Sequence, residues 1–272
     1  ENVIMTNQNQ SRVTIKVLNQ MKNKSEKISM LTSYDFTLAK IIDNSGIDVI
    51  LVGDSASNVM AGHETTLPIT LNEMIYHASS VVKAVNRALV VVDLPFGTYQ
   101  GNSKEALASA IKIMKESGGH AVKLEGGNEI TESIERILTA GIPVMGHLGI
   151  LPQTEKKFTF KGRQTKEIVN LFKDAKLLEK AGIFSVVLEC VEMNVAKRIT
   201  DQLKIPTIGI GSSVNCDGQV LVIDDLVGLS ESKFRFVKKY ANLKKVINSA
   251  VKSYKSEVLK KKFPKAKHSF KK

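Results

Sequence analysis

The sequence predicts an α/β protein built as a single (β/α)8 barrel of the TIM type, with an extra helix at the amino terminus. Three observations support this fold class: short apolar runs recur along the chain, segments with helical spacing separate them, and glycines follow the helical segments. Strands that are buried on both faces have nearly continuous apolar sequences, and they occur in parallel sheets covered by helices. A chain of 272 residues has the length of one such barrel.

Seven strands are predicted at short runs rich in β-branched residues, at 27–33, 48–52, 88–92, 119–124, 143–147, 184–188 and 206–210. Apolar residues at helical spacing predict helices between them, at 71–87, 103–116, 129–138, 165–180 and 194–203. A left-handed cap residue is favoured where a helix ends before a strand, and these positions hold Gly46, Gly118, Gly141 and Gly182. The order of strand, helix and strand therefore agrees with the position of the glycines.

The last strand of the barrel needs a separate argument. Residues 220–223 resemble a strand, but they begin only about ten residues after the seventh strand ends. A parallel crossover usually takes a dozen or more residues and a helix. We therefore predict a helix at 218–228 and the eighth strand at 234–237.

The amphipathic stretch 242–262 is then predicted to be the eighth outer helix, with its lysines facing outward. Its inward face is expected to consist of Leu243, Val246, Ile247, Ala250, Val251, Tyr254 and Leu259. No repeat or boundary divides the chain, so residues 1–272 are predicted to form one domain with a basic C-terminal helix and tail at about 242–272.

Composition excludes several classes of protein. A hydrophobic content of 43% with 24% charged residues excludes disorder of the whole chain. There is no apolar run of the roughly 18 residues that a membrane span needs, and the first 20 residues lack the apolar segment of a signal peptide. Cys190 and Cys216 have no metal-binding spacing and indicate a reducing compartment, so we expect a cytoplasmic protein. Because the chain begins at Glu1 rather than methionine, removal of a targeting segment stays open.

The net charge of +12 is concentrated at the carboxyl-terminal end. Residues 231–272 hold 15 lysines and arginines against 2 acidic residues, whereas residues 1–230 hold 24 against 25. The basic tail lacks interleaved aromatic residues and any recognisable nucleic-acid motif, so we interpret it as a solvated helix face. We predict no nucleic-acid and no membrane partner, and we keep nucleic-acid binding by the tail as the alternative from a different class.

Four acidic residues stand where predicted strands end: Asp54 follows the second strand, and Asp93, Glu125 and Glu189 end the third, fourth and sixth. The carboxyl ends of barrel strands meet at one mouth, so these side chains are expected to be neighbours. Several carboxylates in an apolar mouth repel one another, and a hard divalent cation compensates them. Because all four supply oxygen ligands, we predict a Mg²⁺ site.

Two basic residues are expected at the same mouth. Lys123 precedes Glu125 by two positions, so both side chains face the same side of the strand. A buried cation suits a substrate carboxylate, and Ser55 beside Asp54 offers a hydroxyl for the same purpose; a structural Lys–Glu pair is the alternative interpretation. His147 ends the fifth strand and is expected to bind a substrate oxygen or to line the mouth.

A series of short motifs follows in order along the chain: VGDS at 52–55, GHETTLP at 62–68, VDLPF at 92–96, VKLEGG at 122–127, GHLG at 146–149 with PQ at 152–153, LECV at 188–191, IGIG at 208–211 with DGQ at 217–219, and HSF at 268–270. This series spans nearly the whole chain, from about Thr14 to Phe270, and resembles the ketopantoate hydroxymethyltransferase family. The sequence departs from the family pattern at Ala56, Ser57, Asn58 and Leu151. These departures are expected to change the shape of the pocket and to leave the metal ligands intact.

The resemblance implies the barrel of the phosphoenolpyruvate mutase and isocitrate lyase group. The implied reaction transfers a hydroxymethyl group from 5,10-methylenetetrahydrofolate to 3-methyl-2-oxobutanoate, giving ketopantoate on the route to pantothenate and coenzyme A. The implied mechanism is Mg²⁺-assisted enolate formation followed by aldol-type addition. A homo-oligomer, a decamer, is also implied.

Carried over by motif, the resemblance makes Glu189 the catalytic base. The expected metal ligands are Asp54, Asp93 and Glu125, and the expected substrate-binding residues are Asp54, Ser55, Asp93, Lys123 and His147.

A carbon–carbon or carbon–phosphorus lyase of the same barrel group is the alternative enzyme. Such lyases would share the metal site but use a different base and lid. They typically carry a Lys-Lys-Cys-Gly loop motif, which the sequence does not contain.

Overall fold

The computed structural model describes residues 11–155 and 159–270. The chain divides into two compact units, Glu1–Val222 and Ile223–Lys272. The extent of a single barrel domain over residues 1–272 stays a prediction. No helix in the described part of the chain has the length and apolar content that crossing a membrane requires.

The first unit is a closed barrel of eight parallel strands in chain order, which confirms the predicted (β/α)8 fold. The strands are β1 (Ile28–Thr32), β2 (Val49–Val52), β3 (Leu89–Asp93), β4 (Ala121–Lys123), β5 (Val144–Gly149), β6 (Ser185–Glu189), β7 (Thr207–Ile210) and β8 (Gly218–Leu221). The barrel closes because β1 pairs in parallel with β8 as well as with β2. All eight carboxyl ends therefore lie at one mouth.

Helices follow most of the strands, as the periodicity predicts, but none lies between β7 and β8. In the first unit they are α1 (Ile15–Asn23), α2 (Phe36–Asn44), α3 (Ala56–Val59), α4 (Leu71–Ala84), α5 (Ser103–Ser117), α6 (Thr131–Thr139), α7 (Thr165–Ala181) and α8 (Met193–Gln202). The four predicted cap glycines all have positive φ, between 75° and 107°, which confirms their role at helix ends.

The extra amino-terminal helix is α1, and it covers the end of the barrel opposite the mouth. Leu18 of α1 belongs to the same buried cluster as Met30 and Val91 of the strands. The Val13 N–H donates to the Arg87 carbonyl, just before β3 begins, which places this segment at the amino ends of the strands. α1 therefore does not cover the mouth, the end of the barrel where the functional residues are expected.

The predictions of an eighth strand at 234–237 and of a helix at 218–228 are wrong. The strand is β8, at Gly218–Leu221, and it pairs with both β7 and β1. β7 and β8 are only four residues long, so the return to the amino end covers about 13 Å. The seven residues 211–217 can span about 25 Å when extended, so no crossover helix is needed.

The second unit contains α9 (Ile223–Leu226), α10 (Leu243–Leu259) and a short 3₁₀ turn (Ala266–His268). The helix predicted at 242–262 is α10, but the predicted burial of its apolar face is wrong. No residue of α10 is buried, and Val246, Val251, Tyr254 and Leu259 are each more than half exposed. An amphipathic pattern shows which side of a helix is apolar, but it does not determine which surface covers that side.

Candidate active site

The structure places the predicted charged residues at the carboxyl ends of neighbouring strands. Asp93 and Glu189 are the last residues of β3 and β6, and Lys123 is the last residue of β4. Glu125 follows Lys123 by two positions, and His147 lies within the last three residues of β5. These five side chains form one connected cluster, described below through its contacts.

Lys123 lies between two buried carboxylates. Its Nζ atom is 3.1 Å from Asp93 Oδ1 and 3.8 Å from Glu125 Oε1. Burial disfavours the charged ammonium, but the charges of Asp93, Glu125 and Asp54 outweigh it and raise the pKa of Lys123. Lys123 therefore stays a cation, suited to binding an anion or a developing oxyanion.

His147 connects Glu125 to Glu189. Its Nδ1 atom is 3.4 Å from Glu125 Oε1, and its Nε2 atom is 3.2 Å from Glu189 Oε2. Burial and the charge of Lys123 favour the neutral ring, but Glu125 and Glu189 raise the pKa of His147 to about 9. The ring is therefore protonated at neutral pH, and its approach of 3.2 Å to Lys123 Nζ is a contact between two cations held by surrounding carboxylates.

Asp54 follows β2 and is buried beside Asp93, whose Oδ2 accepts the Asp54 N–H at 3.0 Å. Burial, together with the negative charges of Glu125 and Asp93, raises the pKa of Asp54 to about 8. Burial also raises the pKa of Asp93. In Glu125 the attraction of His147 and Lys123 overcomes burial and lowers the pKa.

The donor set fits a hard divalent cation. Asp54, Asp93 and Glu125, with Glu189 beside them, outnumber the two cationic side chains, and this excess negative charge contributes to the raised pKa of Asp54. Among the described residues, no three His, Cys, Asp or Glu side chains are grouped closely enough to form a complete metal site by themselves. Mg²⁺ commonly takes one or two protein carboxylates and completes its shell with substrate and water oxygens. Asp54 and Asp93 are suited to that role, because they are held together by the hydrogen bond from the Asp54 backbone N–H to the Asp93 side chain.

Glu189 is held at the mouth by close packing of β5 against β6. Its carbonyl accepts the Ile150 N–H at 2.9 Å. A Cβ atom at Gly149, where φ is 102°, would lie 2.1 Å from that carbonyl oxygen, so only glycine fits. The Glu189 side chain is 12% exposed, more than those of Glu125, His147 and Lys123. Of these four groups it is therefore the most accessible to a ligand entering the mouth.

Sequence reasoning selected charged residues and Ser55, and it missed three other neutral residues. The Tyr34 hydroxyl is 2.7 Å from Ser55 Oγ, and it follows β1 by two residues. Tyr99 and Gln153 are buried and hydrogen-bonded to each other at 2.6 Å. Polar residues shortly after strands β1, β3 and β5 are the sequence signal that could have identified all three.

Three of the four departures from the family pattern, Ala56, Ser57 and Asn58, lie in the segment after β2, and Leu151 follows β5. Ser57 Oγ donates to the Thr65 carbonyl at 2.8 Å, and Asn58 Nδ2 donates to the His63 carbonyl at 2.9 Å. Both side chains therefore hold the loop that follows α3. Their effect on pocket shape stays a prediction.

A parallel barrel with buried acids, a lysine and a protonated histidine at the carboxyl ends of its strands defines a class: a (β/α)8-barrel enzyme with an acid–base site at its mouth. The family model described as ketopantoate hydroxymethyltransferase matches residues 12–266. The chain belongs to the ketopantoate hydroxymethyltransferase family.

Two curated relatives illustrate this membership. A protein of Cytophaga hutchinsonii named 3-methyl-2-oxobutanoate hydroxymethyltransferase is 61% identical over 257 residues, covering 93% of this chain and 94% of its own. A protein of Christiangramia forsetii with the same name is 60% identical, with the same coverage.

Solved structures show the same fold at low sequence identity. A phosphonopyruvate hydrolase aligns with a TM-score of 0.63 and 9% identity, covering 97% of this chain and 92% of its own. A phosphoenolpyruvate phosphomutase from Streptomyces platensis aligns with a TM-score of 0.60 and 14% identity, covering 90% and 88%. A 2,3-dimethylmalate lyase, described as a member of the PEP mutase/isocitrate lyase superfamily, aligns at 0.56 and 14%, covering 78% and 79%. At these identities the similarities show the (β/α)8 barrel fold alone.

Proposed function

We propose that the protein is an Mg²⁺-dependent hydroxymethyltransferase of pantothenate and coenzyme A biosynthesis. It transfers the one-carbon unit of 5,10-methylenetetrahydrofolate to 3-methyl-2-oxobutanoate, consumes one water and releases ketopantoate and tetrahydrofolate. The observation that carries the proposal is the chain of contacts from Glu189 through His147 to Glu125 and Lys123. It supplies a base and a fixed cation in one pocket of a family whose curated relatives bear the name of this reaction.

Binding of the oxo acid is assigned to the cationic and hydroxyl groups of the pocket. Ser55 Oγ, oriented by the Tyr34 hydroxyl at 2.7 Å, donates to a carboxylate oxygen of the substrate. Lys123 faces the oxygen that gains charge when the C3 proton leaves. Asp54 and Asp93 would hold Mg²⁺, and Glu125, the third ligand that the sequence predicts, contributes its negative charge to the same cluster. When bound, the ion would supply a Lewis acid that polarises the keto group.

Proton transfer is assigned to Glu189. One of its oxygens is 3.2 Å from His147 Nε2, which leaves the other oxygen for the C3–H bond of the substrate. The C3–H electron pair forms the enolate double bond as Glu189 takes the proton. Water cleaves both carbon–nitrogen bonds of the folate's methylene bridge: its oxygen stays on the one-carbon unit as a carbonyl oxygen, and its two protons go to the folate nitrogens. The enolate carbon then adds to that carbonyl carbon, and the resulting alkoxide takes the proton that Glu189 removed from C3.

A product assay tests this proposal. Purified protein is incubated with 3-methyl-2-oxobutanoate and 5,10-methylenetetrahydrofolate, with Mg²⁺ or with a chelator, and ketopantoate is measured by mass spectrometry. Product that requires both the folate and Mg²⁺ supports the proposal, and activity should return when Mg²⁺ is added back. Product formation in the chelated sample would remove the metal from the mechanism, and no product under any condition would contradict the proposed reaction.

The proposal includes a homo-oligomer, a decamer by family resemblance. The exposed apolar residues of α10 support burial of this helix in an assembly, because water-exposed apolar surface of this kind is costly. Sedimentation velocity tests it: a decamer has ten times the 29.9 kDa mass of the chain, and a monomer would contradict the assembly.

A further inference from the structure

Gln153 lies in the loop after β5, at the centre of a buried hydrogen-bond network, and is 3% exposed. Its Nε2 atom donates to Asp54 Oδ2 at 2.9 Å and to the Leu94 carbonyl at 3.1 Å. Its backbone N–H donates to Glu125 Oε2 at 3.1 Å. A single neutral residue thus contacts two of the carboxylates assigned to the metal.

The Gln153 amide has only one compatible orientation. Its oxygen accepts from the Tyr99 hydroxyl at 2.6 Å and from Gln100 Nε2 at 3.1 Å. On the other side, its nitrogen faces Asp54 Oδ2 and the Leu94 carbonyl, and that carbonyl can only accept. A flipped amide would place oxygen against oxygen on one side and nitrogen against donors on the other. All donors and acceptors of this amide are therefore used.

Tyr99 ties Gln153 to the end of β4 by a second route. Its hydroxyl accepts the Glu125 N–H at 3.0 Å. The hydroxyl has one proton, and the nearest acceptor is the Gln153 oxygen at 2.6 Å, closer than the Glu125 carbonyl at 3.2 Å. Gln153 is thus fixed to Glu125 through its own backbone and through Tyr99.

We propose that Gln153 is a positioning residue for the carboxylates of Asp54 and Glu125. It occupies Oδ2 of Asp54 and Oε2 of Glu125, and Glu125 Oε1 is turned toward Lys123 and His147. The remaining Asp54 oxygen is thereby presented to the ligand. This inference rests on the Mg²⁺ site of the proposed function and adds a residue that is not itself a ligand.

The expected size of the effect follows from the hydrogen bonds that Gln153 makes. Groups that hydrogen-bond to metal ligands without binding the metal themselves orient those ligands. Their removal typically weakens metal affinity by about 10- to 100-fold. Gln153→Met keeps the length of the side chain but removes the donor to Asp54. Mg²⁺ binding by the full-length variant should therefore weaken by about 10- to 100-fold, and turnover should recover substantially at saturating Mg²⁺.

Gln100→Met is the matched control, because Gln100 donates to the same amide oxygen but has no hydrogen bond to either carboxylate. Mg²⁺ affinity is measured by calorimetry, together with thermal melting and the dependence of turnover on Mg²⁺ concentration. The control should bind Mg²⁺ within about threefold of the parent. If Gln153→Met does not fold, Tyr99→Phe is tested in its place. It should also weaken Mg²⁺ binding, by about threefold or more.

Parent-like Mg²⁺ affinity in a folded Gln153→Met protein, or in Tyr99→Phe if only that variant folds, overturns the inference. Equal weakening in Gln153→Met and Gln100→Met also overturns it, because a general disturbance of the loop would then explain both. A parent protein that binds no Mg²⁺ overturns both this inference and the proposed metal dependence. A parent that binds Mg²⁺ with an unaffected Gln153→Met variant overturns the positioning role alone.

Discussion

Glu189→Gln separates proton transfer from substrate binding. The substitution keeps the shape of the side chain, and the amide oxygen can still face His147 Nε2, which lies 3.2 Å from the carboxylate. The amide has no basic oxygen at neutral pH. The groups assigned to oxo-acid binding, Ser55 and Lys123, have no contact with Glu189 among the described interactions. Binding of the oxo acid should therefore change little.

The expected loss of proton transfer is large because the neighbouring groups cannot replace this base. His147 has a pKa of about 9 and is protonated at neutral pH, and Asp93 is paired with Lys123 at 3.1 Å. Loss of a general base typically costs about 10²- to 10⁴-fold, which corresponds to about 2.7 to 5.4 kcal/mol of barrier. With no alternative base in contact, we expect a value in the upper half of this range.

The assay is isotopic and needs no folate. With Mg²⁺ present, the parent should exchange the C3 hydrogen of 3-methyl-2-oxobutanoate with deuterated solvent, followed by proton NMR. Glu189→Gln should bind the acid with parent-like affinity and exchange it far more slowly. Glu192→Gln is the matched control, because the Glu192 side chain caps α8 and, among the described residues, accepts hydrogen bonds from Asn194 and Val195 alone.

Exchange at the parent rate in the Glu189→Gln variant would refute the assignment of the base. His147 would then be the next group to test. A similar loss in Glu192→Gln would mean that the effect comes from lost charge near the mouth rather than from a lost base.

Three further predictions follow from the charges. Asp93→Asn should raise the Mg²⁺ requirement strongly and abolish oxo-acid binding while the protein melts normally; unchanged activity at low Mg²⁺ would remove Asp93 from the ligand set. Neutralising Lys260, Lys261 and Lys262 together should leave turnover within about threefold, and a collapse of activity in folded protein would assign the tail a role in the site or in assembly. Without Mg²⁺, the midpoint of thermal melting should fall as the pH rises from 6 to 9. The reason is that folded Asp54, with a raised pKa of about 8, and His147, with a raised pKa of about 9, hold protons that the unfolded chain has released; a midpoint that rises with pH would contradict these protonation states.

Several features of this protein follow from the sequence alone. Strands buried on both faces must be apolar along their whole length, so seven of the eight strands were recognisable from short sequence runs. The glycines after helices were recognisable because a left-handed residue without a Cβ atom is needed there. The acidic residues at strand ends were recognisable because a parallel barrel brings every carboxyl end to one mouth. Each of these signals depends on a residue's place within its own element.

The tertiary structure decided what depends on partners far apart in the chain. The position of β8 depended on how short β7 and β8 are, because a short return path needs no helix. The position of Gln153 after β5 did not show its role, since its importance comes from Asp54, 99 residues away, and from Tyr99, 54 residues away. The protonation of His147 likewise results from carboxylates on other strands. Burial, hydrogen bonding and electrostatic coupling act between neighbours in space, and only the folded chain determines which residues those neighbours are.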